Sequence, residues 1–277
     1  MNALILIDKP RGPTSAQVTQ WVSEILNEKA GHCGTLDPEV TGVLPILVGK
    51  GRKLIEYLQK HDKEYVCLMK IEEEIPEEKI NTLFKEFTGK IYQKPPELSA
   101  VSKKIRIRRI YELELIQKKK NYYLFRVSCQ HGTYIRKLVE DFGKVLGTKT
   151  TMLQLRRTRS GPFTEEECIT ITKLKDAVAL EKENPKLLKE VIKPLEYAVK
   201  LMPKAIVKET AEKNILKGAP VFRSGIIELK GHIVKGSPIA IINEKQELIA
   251  IGTALYDKKT IINSKKGKMI KTEKVIK

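Results

Sequence analysis

Apolar positions along the chain follow two rhythms, one of strands and one of helices, and the switches between them outline the fold. Ala3 to Ile7 is an unbroken apolar run closed by Asp8, which predicts a buried strand. DKPRGPTS follows as a turn. Thr14 with Gln17 three residues on forms a capping box, and Val18, Val22, Ile25 and Leu26 share a helical face to about Asn27. Leu54, Ile55 and Leu58 predict a second helix, Glu64 to Ile71 a strand, and Glu77 to Phe87 a helix with Gly89 as its stop. Tyr123 to Cys129 predicts another strand. Thr133 is then the expected N-cap of a helix that turns Ile135, Leu138, Val139, Phe142 and Val145 toward a core. Leu153 and Leu155 alternate into LRRTRSG, again a strand. Strands interleaved with helices over short connections predict an α+β fold, a mixed and largely antiparallel sheet with flanking helices.

A charged, helical stretch from Lys175 to Val199 ends this pattern. From Pro203 the chain has one short helix, Glu209 to Lys217, and then short β-rich runs. SPIAII and LIAIGTA pair as a hairpin across NEKQE. Two domains are expected, residues 1–200 and 203–277. The closing KKGKMIKTEKVIK is expected to fray as a basic tail.

Charge narrows the choice of partner. Lys and Arg number 52 against 34 Asp and Glu, a net +18, and residues 203–277 alone hold 16 basic against 7 acidic. Such an excess favours polyanions through counterion release. No run approaches the roughly 20 apolar residues of a membrane span. MNALILID lacks a basic leader and a cleavage site, so it is read as a first strand. Cys33, Cys67, Cys129 and Cys168 are far apart with no CxxC pair, which argues against zinc or a disulfide framework and fits a reducing cytoplasm. KPPELSAVSKKIRIRRIY, Lys94 to Tyr111, carries six basic residues and one acid. Ile105 and Ile107 alternate with Arg106 and Arg108. A charge-protected edge strand has this pattern, but the preceding prolines and missing acids favour a nucleic-acid-facing arm built on Lys103, Lys104, Arg106 and Arg108.

The familiar phosphate cradles are absent. Gly42 to Lys50 has the wrong spacing for a P-loop, GKGRKL lacks a third glycine, and there is no HExxH or nucleophilic-serine elbow. AGHCGTLDPEVTGVLP, Ala30 to Pro45, stands out. Gly31, Gly34 and Gly42 permit unusual backbone angles, Pro38 and Pro45 stiffen the path, and Asp37 sits among apolar neighbours. Asp37 is either an Asx-turn residue or a pre-organised nucleophile or base. Arg136 falls in the first turn of its helix, where the macrodipole repels a cation, which suggests a partner carboxylate nearby.

GHCGTLDPEVTGVLP closely resembles the catalytic loop of the TruB/dyskerin family of pseudouridine synthases. Further motifs stand in the family's order: DKPRGPTS at the N-terminus, KEY at Lys63 to Tyr65, GTYIRKL around Arg136, and LRRTRSG. The KPPELSAVSKKIRIR segment resembles the RNA-clamping region of the archaeal and eukaryotic branch, and residues 203–277 resemble a PUA domain, a small β-barrel-like RNA-binding module. The resemblance spans nearly the whole chain. It implies Asp37 as the catalytic carboxylate, Tyr65 as the residue stacking on a flipped uracil, Arg136 as the partner of Asp37, His32 as a residue displacing the base, and Leu155 in the pocket wall. Arg156 and Arg157 of LRRTRSG are expected at the RNA. Cys33 departs from the family's Ser or Thr. No metal or organic cofactor is implied.

The implied reaction isomerises uridine in RNA, either the T-loop uridine (position 55) of tRNA or rRNA uridines within box H/ACA guide particles, with small protein partners there and a monomer otherwise. The chain starts almost at its first strand, whereas that branch usually has a longer N-terminal extension that leans on the PUA domain. Two rivals remain: a non-catalytic RNA-binding or ribosome assembly factor, and a uracil-directed glycosidase. A mere binder has no reason to bring Asp37, Tyr65 and Arg136 together.

Overall fold

Thr14 caps the first helix as its sequence foretells, its hydroxyl accepting from the Gln17 amide while the Gln17 side chain accepts from the Thr14 amide. The computed structural model describes residues 1–94 and 104–277, so Lys103 lies outside the described residues. The described chain divides into two compact units, one of Ile5–Ile46 and Glu56–Val191, the other of Met1–Leu4, Leu47–Ile55 and Ile192–Lys277. The architecture is α+β in mixed sheets.

The first sheet uses β1 (Ala3–Lys9), β2 (Ala30–His32), β3 (Thr41–Val48), β4 (Lys63–Ile71), β5 (Gly89–Gln93), β6 (Arg106–Lys119), β7 (Tyr122–Cys129), β8 (Thr150–Ser160) and β9 (Phe163–Thr164). Among the described residues its order is β1-β3-β8-β4-β7-β6-β5, with β2 on β3 and β9 on β8. Its helices are α1 (Ser15–Leu26), α2 (Ile55–Gln59), α3 (Glu77–Phe87), α4 (Ile135–Leu146), α5 (Ile171–Ala179) and α6 (Pro185–Val191). The β4, β7 and β6 ladders are antiparallel, whereas β3 meets β8 in parallel at Thr41↔Arg156 and Gly42↔Arg157. Phe84 and Phe87 of α3, Phe142 of α4 and Phe125 of β7 stack at 4.9–6.0 Å, which fastens both helices to one sheet face.

Three local expectations change here. Helix α3 ends at Thr88 in an extended conformation, and Gly89, at φ +117°, opens β5 instead of closing the helix. The N-cap of α4 is Tyr134, not Thr133. The amide side chain of buried Gln93 accepts from the Tyr134 N–H at 3.0 Å and donates to its carbonyl at 3.1 Å, while the Thr133 hydroxyl donates to Gln130. Val145 points to solvent because the buried stripe of α4 is Ile135, Leu138, Val139 and Phe142.

The second unit adds α7 (Leu195–Ala198), α8 (Glu209–Ile215), α9 (Lys258–Asn263) and strands β10 (Lys204–Val207), β11 (Val221–Phe222), β12 (Ile226–Lys230), β13 (Pro238–Ile242), β14 (Leu248–Ala254) and β15 (Lys268–Val275). The sheet order is β11-β15-β14-β13-β10-β12. The expected hairpin is β13–β14, with Ile241 opposite Ala250. The basic tail does not fray. Its residues form β15 against β14, since Met269, Ile270 and Ile276 are apolar positions that the lysines obscure in the sequence, and all three are buried.

Candidate active site

Asp37 sits on the loop between β2 and β3, with its backbone held from several sides. Lys9, at the end of β1, is fully buried, and its Nζ donates to the carbonyls of Pro10 at 2.8 Å, Pro38 at 3.1 Å and Val40 at 2.9 Å. Burial pulls the Lys9 pKa down, while the charges of Asp37 and Glu39 pull it back up. The Ser15 hydroxyl accepts from Leu36 N and donates to Leu36 O, both at 2.8 Å. Gly12 N donates to Pro38 O, and Cys33 N to Pro45 O. The DKPRGPTS turn and the start of α1 therefore form a seat for the loop. Gly34 and Gly42 use positive φ, +117° and +104°; Gly31 does not, because it lies within β2.

Arg136, in the first turn of α4, places its guanidinium 3.2 Å from the Asp37 carboxylate, and both side chains are largely exposed. The carboxylate partner expected from the helix position is present. Tyr65 of β4 is half-buried, and burial raises the pKa of its phenol. The charge of Arg157 opposes that rise, and the nearby charge of Asp37 adds to it. Asp37 and Arg136 thus meet from a loop and a helix of one unit, and Tyr65, on a strand of the same unit, lies near enough for the Asp37 charge to raise its pKa. His32 ends β2. Its Nδ1 is buried with no hydrogen-bond partner among the described residues, and burial plus the Arg157 charge lower its pKa, which keeps the ring neutral near pH 7. Leu155 is buried across the ladder from Cys67. It also edges a groove of about 440 Å³ whose β4 lining is Val66 and Leu68, the positions alternating with Tyr65 and Cys67. The Cys33 thiol is buried and pushed up to about 12, so it stays protonated and unreactive.

The arginines expected at RNA are placed differently. Arg157 is buried, and its guanidinium donates to the carbonyls of Val43 at 2.8 Å and Gly34 at 3.1 Å, so it supports the loop from inside. Arg156 is held in a bidentate pair with Asp8 at 2.9 and 3.0 Å and a further bond to Glu165 at 2.5 Å. Arg108 turns back to the carbonyls of Gly132 and Ile107. Arg106 is half-buried and Lys104 exposed. At the start of this strand the isoleucines are the more exposed residues, Ile105 just before it at 68% and Ile107 at 51%, while Arg106 and Arg108 are half-buried.

Residues not singled out from sequence complete the site. Lys9 and Gln93 are two. Lys63 is a third, a buried lysine whose Nζ donates to the carbonyls of Gln59 at 2.9 Å and His61 at 2.5 Å. Burial, with the Arg157 charge second, lowers its pKa to about 8. Strand parity carried a signal: Lys9 continues the face of Ile5 and Ile7, Lys63 that of Cys67 and Met69, and Arg157 that of Leu155.

Comparison with known proteins gives matches along nearly the whole chain. Residues 23–135 match the TruB family pseudouridylate synthase N-terminal domain, residues 136–200 the tRNA pseudouridylate synthase B C-terminal domain, and residues 203–276 the PUA domain. A Methanocaldococcus jannaschii protein named "Probable tRNA pseudouridine synthase B" is 47% identical over 98% of this chain and 82% of its own length. One of the same name from Archaeoglobus fulgidus is 47% identical over 96% of this chain and 83% of its own length. A chain solved in a Cbf5-Nop10-Gar1 complex superposes with a TM-score of 0.93 at 41% identity, covering 99% of this chain and 85% of that one. Another, in an H/ACA RNP bound to a substrate RNA containing 2′-deoxyuridine, gives 0.92 at 39% identity over 99% and 85%.

Proposed function

We propose, on the premise that this chain belongs to the TruB family of pseudouridylate synthases, that Asp37 is its catalytic carboxylate and that Tyr65, Arg136, His32 and Leu155 receive an everted uridine. The activity is that of a pseudouridine synthase, an isomerase. The N1–C1′ bond of uridine breaks, the uracil turns, and C5 bonds to C1′; a proton leaves C5 and one is gained at N1, so the composition is unchanged. A stacked base is out of reach, so the nucleotide is flipped into the site.

The carboxylate of Asp37 meets the ribose, where it attacks C1′ or takes the C2′ proton. Arg136 orients it with one hydrogen bond and leaves the second oxygen free. Tyr65 offers a ring face for stacking and a phenol that burial keeps protonated. The observation that carries this reading is the 3.2 Å contact that joins Asp37 of the loop to Arg136 of α4. A protein that only binds RNA needs no carboxylate where polyphosphate must pass.

The substrate follows from the relatives. Their names point to tRNA, and the T-loop uridine is assigned as target; the structural neighbours point to guide-RNA particles, so rRNA uridines, a guide RNA and small particle proteins form the second assignment. Residues 1–200 are assigned to catalysis and 203–277 to RNA binding, which the PUA match over 203–276 supports. The work is placed in the cytoplasm, with the free protein a monomer.

The test is Asp37→Asn, assayed on unmodified tRNA and on guide and substrate RNA with partner proteins. Turnover is expected to fall about a thousandfold or more, with RNA affinity within about threefold of wild type. Retained turnover in the purified variant would remove Asp37 from its role.

A further inference from the structure

The two members of the Asp37–Arg136 pair are held by different parts of the molecule. The loop of Asp37 rests on Lys9, Ser15 and Arg157. Arg136 leaves the first turn of α4, and among the described residues its guanidinium has one hydrogen-bond partner, Asp37. Its side chain is half exposed, so no surrounding wall steers it. Where the guanidinium arrives therefore depends on where α4 begins.

The N-cap of α4, Tyr134, makes no side-chain cap bond. The start of the helix is gripped instead by side chains from the neighbouring β5–β6 ladder. Gln93, the last residue of β5, is 2% exposed and uses both ends of its amide on the backbone of Tyr134, two residues before Arg136. The Tyr134 carbonyl also accepts the first helical bond, from Leu138 N at 3.0 Å, so Gln93 and the helix share one acceptor. From β6, Arg108 donates to Gly132 O at 3.2 Å, and the Arg109 carbonyl accepts from Gln130 N at 2.8 Å. Gly132 stands at φ +74°, where a Cβ would come within 3.2 Å of the Arg108 guanidinium. Gln93 pairs with Arg106 and Ile91 with Arg108, so the two gripping side chains leave successive same-face rungs of one ladder. A side chain that accepts from the N–H and donates to the C=O of one residue restrains both of its backbone angles, here φ −98° and ψ 105°. An apolar side chain of the same volume fills the space and restrains neither.

We infer that Gln93 is a positioning residue for the isomerisation: it fixes the entry of α4 and, through it, the approach of Arg136 to Asp37. The inference rests on the reading of Asp37 as the catalytic carboxylate. Displacements of the order of 1 Å near reacting groups cost about a hundredfold in rate, which sets the scale.

The experiment is single-turnover conversion of an unmodified tRNA transcript at saturating enzyme, with full-length Gln93→Met and Gln93→Glu, each alone and combined with Arg136→Gln. Gln93→Met removes both bonds at nearly constant volume; Gln93→Glu keeps the acceptor for the Tyr134 N–H and loses the donor to its carbonyl. The expected result for Gln93→Met is a rate loss of roughly 10- to 100-fold, with RNA affinity within about threefold, and a smaller loss for Gln93→Glu. In the Arg136→Gln background the added loss shrinks to about threefold, because the guanidinium that Gln93 places is already gone. Fully additive losses, an unchanged rate in Gln93→Met, or a loss of affinity that matches the loss of rate would overturn the proposal. Failure of both variants to fold would also overturn it, in favour of a purely structural role. Turnover that persists in Asp37→Asn sinks the assignment of the carboxylate; an inactive Asp37→Asn beside an unimpaired Gln93→Met sinks only the inference about Gln93.

Discussion

The site has two layers built on opposite electrostatic terms. On the outside, Asp37 and Arg136 face each other with side chains 60% and 52% exposed. Beneath them Lys9, Lys63 and Arg157 are almost fully buried, and each ends on backbone carbonyls. An exposed ion pair contributes little, about 0–1 kcal/mol, because water screens both charges. A buried cation is costly unless its donors are satisfied, so its presence locks the acceptors around it. The place of the acid is therefore set by Lys9 and Arg157, which hold the backbone of its loop, with Lys63 beside them on the carbonyls of Gln59 and His61, while its exposed partner has room to adjust.

The sharpest way to break this arrangement is through the two glycines that flank the loop. A Cβ on Gly42 would stand 2.2 Å from Arg157 O and 2.9 Å from its N and C, all backbone atoms that cannot swing aside. At Gly34 the nearest atoms are the ends of flexible side chains, Arg157 Nη1 at 3.7 Å and Lys63 Cε at 4.0 Å. Both residues have positive φ, so both alanine variants incur backbone strain of about 1–3 kcal/mol. Gly42→Ala adds the clash, for a total loss of more than about 4 kcal/mol. Urea unfolding of the two variants measures the gap. Equal losses would mean that β3 and β8 are not locked at this crossing.

What was legible in the sequence follows from the range of each contact. The α1 capping box joins residues three apart and was read directly. The β13–β14 hairpin was equally local, and the motif order of the family placed Asp37, Tyr65 and Arg136. The buried layer was not legible as such, because its bonds span the chain: Lys9 reaches a carbonyl 29 residues away and Arg157 one 123 away. Charge itself misled. Arg157 is expected at RNA as part of LRRTRSG, and only its parity with Leu155 hints at the inward face it takes. Gln93 was missed as the cap of α4 because it lies 41 residues from Tyr134. The same bias toward local signals gave Thr133 that role.

A smaller effect tests whether Lys63 belongs to the buried layer. Burial holds its folded pKa near 8, below the usual 10.5. Below pH 8 both folded and unfolded chains carry the proton. Between about 8 and 10.5 the unfolded chain binds more protons than the folded one, so the Lys63 contribution to stability rises with pH. Relative to Lys63→Gln, wild type should gain roughly 2–3 kcal/mol across that window. The buried thiols of Cys33 and Cys129, both pushed up to about 12, act in the opposite direction but are common to both proteins and cancel. Denaturant unfolding at pH 7.5 and pH 10.5 decides; a difference that does not change with pH would place Lys63 in water.

The smallest expected change in stability belongs to Arg136, the proposed partner of the catalytic carboxylate. Arg136→Gln removes an exposed ion pair, so the unfolding free energy should move by less than about 0.5 kcal/mol, and less still in high salt. The rate should nevertheless fall about a hundredfold. In the proposed complex the everted nucleotide covers the pair and excludes water, so the local dielectric drops and the same 3.2 Å contact is expected to become much stronger than in the free protein. Stability and turnover are thus expected to separate at Arg136, whereas at Gly42 the cost appears first in folding. If Arg136→Gln loses several kcal/mol of stability along with its rate, the outer layer is structural too. The division between an adaptable surface and a fixed floor would then fail.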